Sequence, residues 1–163
     1  VSAPFDPRQY QDPLVIQRVL HNSRTVAIVG LSSNRLRASY FVGFYLQRHG
    51  YRIIPVNPRE TEVLGERSYA SLRDVPGPVD VVNVFRAPDA LPGIARDAVA
   101  IGASALWCQF NVINEEGARI AAEGGLSIVM DRCIKVEHAR YAGRMNWLGF
   151  NTGIVTSVRG PLQ

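Results

Sequence analysis

Short continuous apolar runs alternate along this chain with stretches whose apolar residues recur every three to four positions. TVAIVG (25–30), YRIIPVN (51–57), VDVVNVF (79–85), ALWCQF (105–110) and LSIVMD (126–131) are runs of the first kind. Their length and β-branched content predict strands buried on both faces. Helical spacing predicts helices over DPLVIQRVLHNS (12–23), SYFVGFYLQRHG (39–50), PDALPGIARDAVAIG (88–102), NEEGARIAAEGG (114–125) and KVEHARYAG (135–143). Pro92 is compatible only with the first turn of its helix. GERSYASLRDVP (65–76) reads as a short turn or helix, and WLGFNTGIVTSV near the end as an irregular strand or arm.

Strands separated by helices require right-handed crossovers and hence a parallel sheet covered on both faces. The predicted fold is α/β: a single Rossmann-like, doubly wound domain of about five strands. Its core covers about 10–142 and a C-terminal arm covers 143–163. In such sheets ligands lie beyond the carboxyl ends of the strands, where the strand order reverses. The residues just after each strand are therefore the candidates.

After the first strand comes Gly30-Leu31-Ser32-Ser33-Asn34-Arg35-Leu36-Arg37. A dinucleotide fingerprint would require glycine at 32 and 35, where Ser32 and Arg35 stand. What is left is a polar turn entering a helix, whose free N–H groups and dipole suit a phosphate. Ser32, Ser33 and Asn34 add side-chain donors, and Arg35 and Arg37 add charge. The alternative is a helix cap with two solvated arginines. After the second strand, Asn57-Pro58-Arg59 replaces the acid that binds ribose hydroxyls in NAD sites. An arginine there favours a phosphorylated ribose, so coenzyme A and NADP both qualify. Phe85-Arg86 and Gln109-Phe110-Asn111, after the third and fourth strands, could line a slot for a mixed-polarity arm such as pantetheine.

Net charge is +4, but the basic residues stand singly at loops and not in runs interleaved with aromatics, so nucleic acid is not expected. No apolar run approaches the ~20 residues of a membrane span. The N-terminus has no basic start and no apolar block, so no secretory signal is expected and cytoplasm is the expected location. Two cysteines, Cys108 and Cys133, suit a reducing compartment and are too few and too far apart for a finger-type zinc site. Both are expected in the core. Asp131, Arg132, Cys133, Lys135, Glu137 and His138 form the densest polar cluster. Cys133 could be an activated thiol, able to form a mixed disulfide with the CoA thiol. The plainer reading has Asp131 and Arg132 capping the last helix, with Glu137 and His138 on its outer face. His21 and His49 lie near helix ends, and Trp107 belongs to the core.

In order, VAIVGLSSNRLRASY, YRIIPVNP, LGERSYASLRDVP, VDVVNVFRAP, AIGASALWCQFNVIN and GLSIVMDRCIKVEHAR resemble the small CoA-binding proteins of bacteria. That family is similar to the N-terminal CoA-binding domain of the succinyl-CoA synthetase alpha subunit. The resemblance covers about residues 10–142. It implies coenzyme A as the cofactor. Its phosphates would lie at Ser32, Ser33, Asn34 and Arg35, within a loop framed by Gly30, Arg37 and Ser39. Its adenosine end would lie near Asn57, Pro58 and Arg59. Its pantetheine arm would pass Val84, Phe85, Arg86, Gln109 and Phe110. Asn111 stands where the family usually has glycine, and its side chain would crowd the arm or give it a hydrogen bond. The synthetase also needs a domain with a phosphorylated histidine and a beta subunit, so ligase activity is not expected to carry over.

The expected function is a non-catalytic carrier, sensor or regulatory protein for free or acylated CoA, with no catalytic residue and no metal. The alternatives are an NADP-dependent oxidoreductase using the same anion site, and an interaction module whose nucleotide site has decayed. A homodimer through the apolar C-terminal arm, with Trp147 and Phe150, is also expected.

Overall fold

The structure, a computed structural model, describes residues 3–147. Five strands form one parallel sheet: β1 (Thr25–Val29), β2 (Arg52–Val56), β5 (Val81–Val84), β6 (Ala105–Cys108) and β7 (Ser127–Val129), in the order β2-β1-β5-β6-β7. Each is a Val/Ile/Ala-rich run because both of its faces are covered. One row across the sheet, Ile54, Ala27, Val82, Leu106 and Ile128, faces α3 (Leu91–Ala100) and α4 (Glu115–Glu123). The adjacent row, with Ile28, Trp107 and Val129, faces α1 (Pro13–Asn22), α2 (Ala38–Arg48) and α5 (Ile134–Trp147). The expected doubly wound α/β domain is therefore present.

Local chemistry explains the boundaries. Asp12 and Asn114 cap α1 and α4 by accepting the N–H groups of Leu14 and Gly117. Pro92 falls in the first turn of α3, which follows a short 3-10 turn over Pro88–Ala90. Two features differ from the expectation. The 65–76 stretch begins as half of a small hairpin, β3 (Glu62–Val63) with β4 (Glu66–Arg67). Leu64 and Gly65 turn it with φ of 54° and 78°, the left-handed pair that a two-residue hairpin loop requires. Only Leu72–Asp74 is helical there, as a single 3-10 turn. The last helix also runs further than residue 143, to Trp147. The arm beyond it, with the homodimer expected there, lies outside the described residues.

Candidate functional site

The strand order reverses between β1 and β5. From there α2 leads toward β2 on one face and α3 toward β6 on the other, so the loops diverge and leave a cleft beyond Gly30 and Phe85. Gly30 has φ of 90°, and a Cβ there would stand 2.3 Å from the Phe85 carbonyl oxygen. Only glycine lets the two loops approach this closely.

One half of the cleft, about 380 Å³, is polar: Gly30, Ser32, Arg37, Ala38, Ser39, Asn57, Arg59, Glu60 and Phe85 line it. Ala38 and Ser39 open α2, whose N-cap, Arg37, makes no capping hydrogen bond with its side chain. The first turn of this helix therefore offers amide N–H groups and the positive end of its dipole beside two arginines. The loop before it differs from the expectation of free N–H groups. Ser32 N–H donates to Ser39 Oγ (3.1 Å), Asn34 N–H to Ser32 Oγ (3.0 Å) and Leu36 N–H to Asn34 Oδ1 (3.0 Å). Ser33 N–H donates to Glu60 Oε2 (2.6 Å). Asn57 holds the two loops together: its Nδ2 donates to Leu31 O (3.0 Å) and its Oδ1 accepts from Arg59 N–H (3.0 Å).

The other half, about 490 Å³, is largely apolar, with Ala38, Val42, Phe85, Arg86, Ala87, Gln109, Phe110, Val112 and Cys133 as its lining. Ala38 and Phe85 belong to both halves, so the two adjoin. Phe110 is 54% exposed, an apolar ring held open to solvent at the mouth. Gln109 is buried, and its Nε2 donates to Asn83 Oδ1 (2.5 Å) in the middle of β5. That amide pair fixes the floor between β5 and β6.

Of the predicted residues, Gly30, Ser32, Arg37, Ser39, Asn57, Arg59, Phe85, Arg86, Gln109 and Phe110 thus meet around one cleft. Ser33 sits beside it, bonded to Glu60. Asn34 and Arg35 are exposed on the loop and are not among its lining. Val84 is fully buried in the core facing α3 and α4, because alternation along β5 turns it away. Pro58 lines a separate hollow with Val56, Leu72 and Ile94. Asn111 has φ of 68°, and its N–H donates to Asp131 Oδ1 (2.8 Å), Asp131 itself having φ of 59°. The left-handed backbone explains why glycine suits this position and why asparagine is tolerated. Glu60, one position past Arg59, lines the cleft although no strand-end motif includes it. Cys133 lines it too, which departs from a core position and fits the alternative of a thiol near the ligand.

The start of α5 also departs from expectation. Asp131 binds the Asn111 amide and does not cap the helix. Glu137 and His138 are each 1% exposed, not on the outer face. With Ile134 and Tyr141 they form the i, i+3, i+4, i+7 stripe that α5 turns inward. Their polarity hid that stripe. Glu137 carboxylate oxygens lie 3.5 Å from Arg132 Nε and 3.4 Å from an Arg140 guanidinium nitrogen. His138 Nδ1 and the Tyr45 hydroxyl share a 2.8 Å hydrogen bond, while its Nε2 is buried without a partner. Burial, and secondarily the charge of His49, lower the His138 pKa from 6.5 to about 4. Cys108 is wholly buried, and burial pushes its thiol up to about 12. Among the described residues no cluster of three or more His, Cys, Asp or Glu could hold a metal, and no helix is long and apolar enough to cross a membrane.

Comparison with known proteins places the chain in a family. The sequence profile of the family described as "CoA binding domain" matches residues 24–139. The uncharacterized protein YneT of Bacillus subtilis is 43% identical over 124 residues, covering 76% of this chain and 92% of that protein. The alpha subunit of the ADP-forming acetate–CoA ligase II of Pyrococcus furiosus is 30% identical over 127 residues. That match covers 71% of this chain but only 28% of the ligase subunit. A solved structure, a hypothetical protein from Pyrococcus horikoshii OT3, superposes with a TM-score of 0.79 at 35% identity, covering 85% of this chain and 98% of that one. This chain belongs to the family of CoA-binding domains, akin to those of the succinyl-CoA synthetase-like ligases.

Proposed function

We propose that this protein binds coenzyme A, free or acylated, in the cleft at the β1/β5 switch point and serves as a non-catalytic carrier, sensor or regulator. The observation that carries the reading is two unlike half-sites side by side, sharing Ala38 and Phe85. An uncapped helix N-terminus with Arg37 and Arg59 suits the diphosphate and the ribose phosphate. The adjoining slot, with Phe85, Phe110 and Val112, suits an amide-bearing alkyl arm and brings its thiol end toward Cys133. The family match supports the same ligand.

Calorimetric titration of the full chain with CoA, dephospho-CoA and NADPH tests this. CoA should bind, and dephospho-CoA more weakly. A charge-assisted hydrogen bond contributes ~1.5–3 kcal/mol, so Arg59→Ala should weaken CoA about 10–100-fold. Arg37→Ala should do the same at the diphosphate. Preference for NADPH over CoA would put the oxidoreductase reading first, and equal CoA affinity in both variants would remove these arginines from the site.

A further inference from the structure

Glu60 meets the loop after β1 as a ligand anion would. Its Oε2 accepts the Ser33 N–H at 2.6 Å, and its Oε1 accepts the Ser33 hydroxyl at 3.0 Å. The side chain lines the same half of the cleft as Ser32, Arg37 and Arg59. It forms no ion pair with either arginine among the described residues, although both line the same space. The carboxylate is instead spent on the loop's backbone donor. It is delivered from a braced turn: Glu60 N–H donates to Asn57 O (3.2 Å), and that carbonyl also accepts the Ser68 hydroxyl (3.1 Å).

We propose that Glu60 is a built-in competitor for the ligand's phosphates. In the arrangement seen, it accepts both Ser33 donors and holds the loop against the β2 turn. A phosphate can take those donors only if the carboxylate withdraws, because two anions cannot share one N–H and one hydroxyl at hydrogen-bond distance. Glu60 then sets a threshold. A diphosphate, with several charges to place against Arg37, Arg59 and the start of α2, recovers what the loop gives up. A singly bridging orthophosphate recovers less. The carboxylate thus lowers the affinity for every anion that takes those donors, and only a polyanion with further contacts to Arg37, Arg59 and the start of α2 binds tightly enough to meet that cost.

This inference rests on the phosphate-site reading above, and the test separates the two. CoA, inorganic pyrophosphate and orthophosphate are titrated into the wild-type chain, Glu60→Gln and Glu60→Ala. Glu60→Gln keeps the shape and an acceptor for Ser33 but removes the charge, so it stays informative where Glu60→Ala disturbs the loop. Glu60→Gln should bind CoA and pyrophosphate about tenfold more tightly, ~1.4 kcal/mol, and orthophosphate more tightly by a similar factor. Unchanged or weaker binding in Glu60→Gln overturns the proposal and makes Glu60 a brace for the loop. If CoA binds neither protein while pyrophosphate tightens, the competitor role stands and the CoA reading fails. If no probe binds either protein, both fail.

Discussion

His138 should make this protein acid-sensitive in a defined window. Its ring is 1% exposed, packed at 5.4–5.6 Å from the rings of Tyr45 and Tyr51 and 5.3 Å from that of His49. Its Nε2 has no partner, and Lys135 lies over the Tyr45 ring at 5.8 Å. A proton on this imidazole would have neither water nor a carboxylate to receive it, so the native pKa falls from 6.5 to about 4. The sign follows from linkage. Above pH ~6.5 the ring is neutral in both states and its contribution to stability is complete. Between ~6.5 and ~4 the unfolded chain takes up a proton that the native state refuses, so stability falls as pH falls. Each tenfold difference in proton affinity corresponds to ~1.4 kcal/mol, which gives a loss of about 3 kcal/mol across the window. Urea titrations of the wild-type chain and His138→Gln from pH 7.5 to 4 should show it. His138→Gln starts less stable, because Tyr45 loses its imidazole partner, but its stability curve should be flatter by about this amount. Parallel curves for the two proteins would show that His138 is not the group responsible. A wild-type curve flat down to pH 4 would show that the buried ring accepts a proton freely.

Other consequences can be measured separately. Gly30→Ala places a Cβ against the Phe85 carbonyl at a left-handed φ, so urea titration should show a loss of about 2 kcal/mol or more, with CoA affinity falling because the loops are forced apart. Iodoacetamide should label Cys133, which lines the cleft, and spare the buried Cys108; saturating acetyl-CoA, which has no free thiol to consume the reagent, should slow that labelling, and an unaltered rate would place the end of the ligand's arm elsewhere. Asn111→Gly should be nearly neutral, because glycine adopts φ of 68° without strain, whereas Asn111→Val should cost ~1–2 kcal/mol. Equal melting temperatures for these two variants would refute the backbone argument.

The sheet was legible because its information is local: five apolar runs, each long enough for one buried strand, separated by helical patterns. The position of the site was legible for the same reason, since strand ends can be found without knowing the strand order. What was lost depended on orientation. The stripe Ile134, Glu137, His138, Tyr141 has the spacing of an inward face, but two of its four residues are polar, and polarity was read as exposure. Val84 follows Asn83 on a strand, and which face of the sheet each joins is decided by alternation in the assembled sheet. Glu60 joins the site across 27 positions of sequence through Ser33. No periodicity announces such a contact. Leu64-Gly65 was the exception: a hydrophobic residue at positive φ in a two-residue loop, where an asparagine would have made the hairpin readable.

The bond from Asn57 Nδ2 to the Leu31 carbonyl has a bearing on how this site can evolve. In a nicotinamide-binding relative, an acid at the end of the second strand receives the ribose hydroxyls. Here the same position donates a hydrogen bond to the neighbouring loop. An aspartate at 57 would turn a carboxylate oxygen toward a carbonyl oxygen, and the two loops that frame the cleft would repel each other before any nucleotide arrived. The asparagine is thus a commitment as well as a preference. One substitution cannot convert the cleft to a nicotinamide-nucleotide site, because the first effect of the change is to loosen the frame of the cleft.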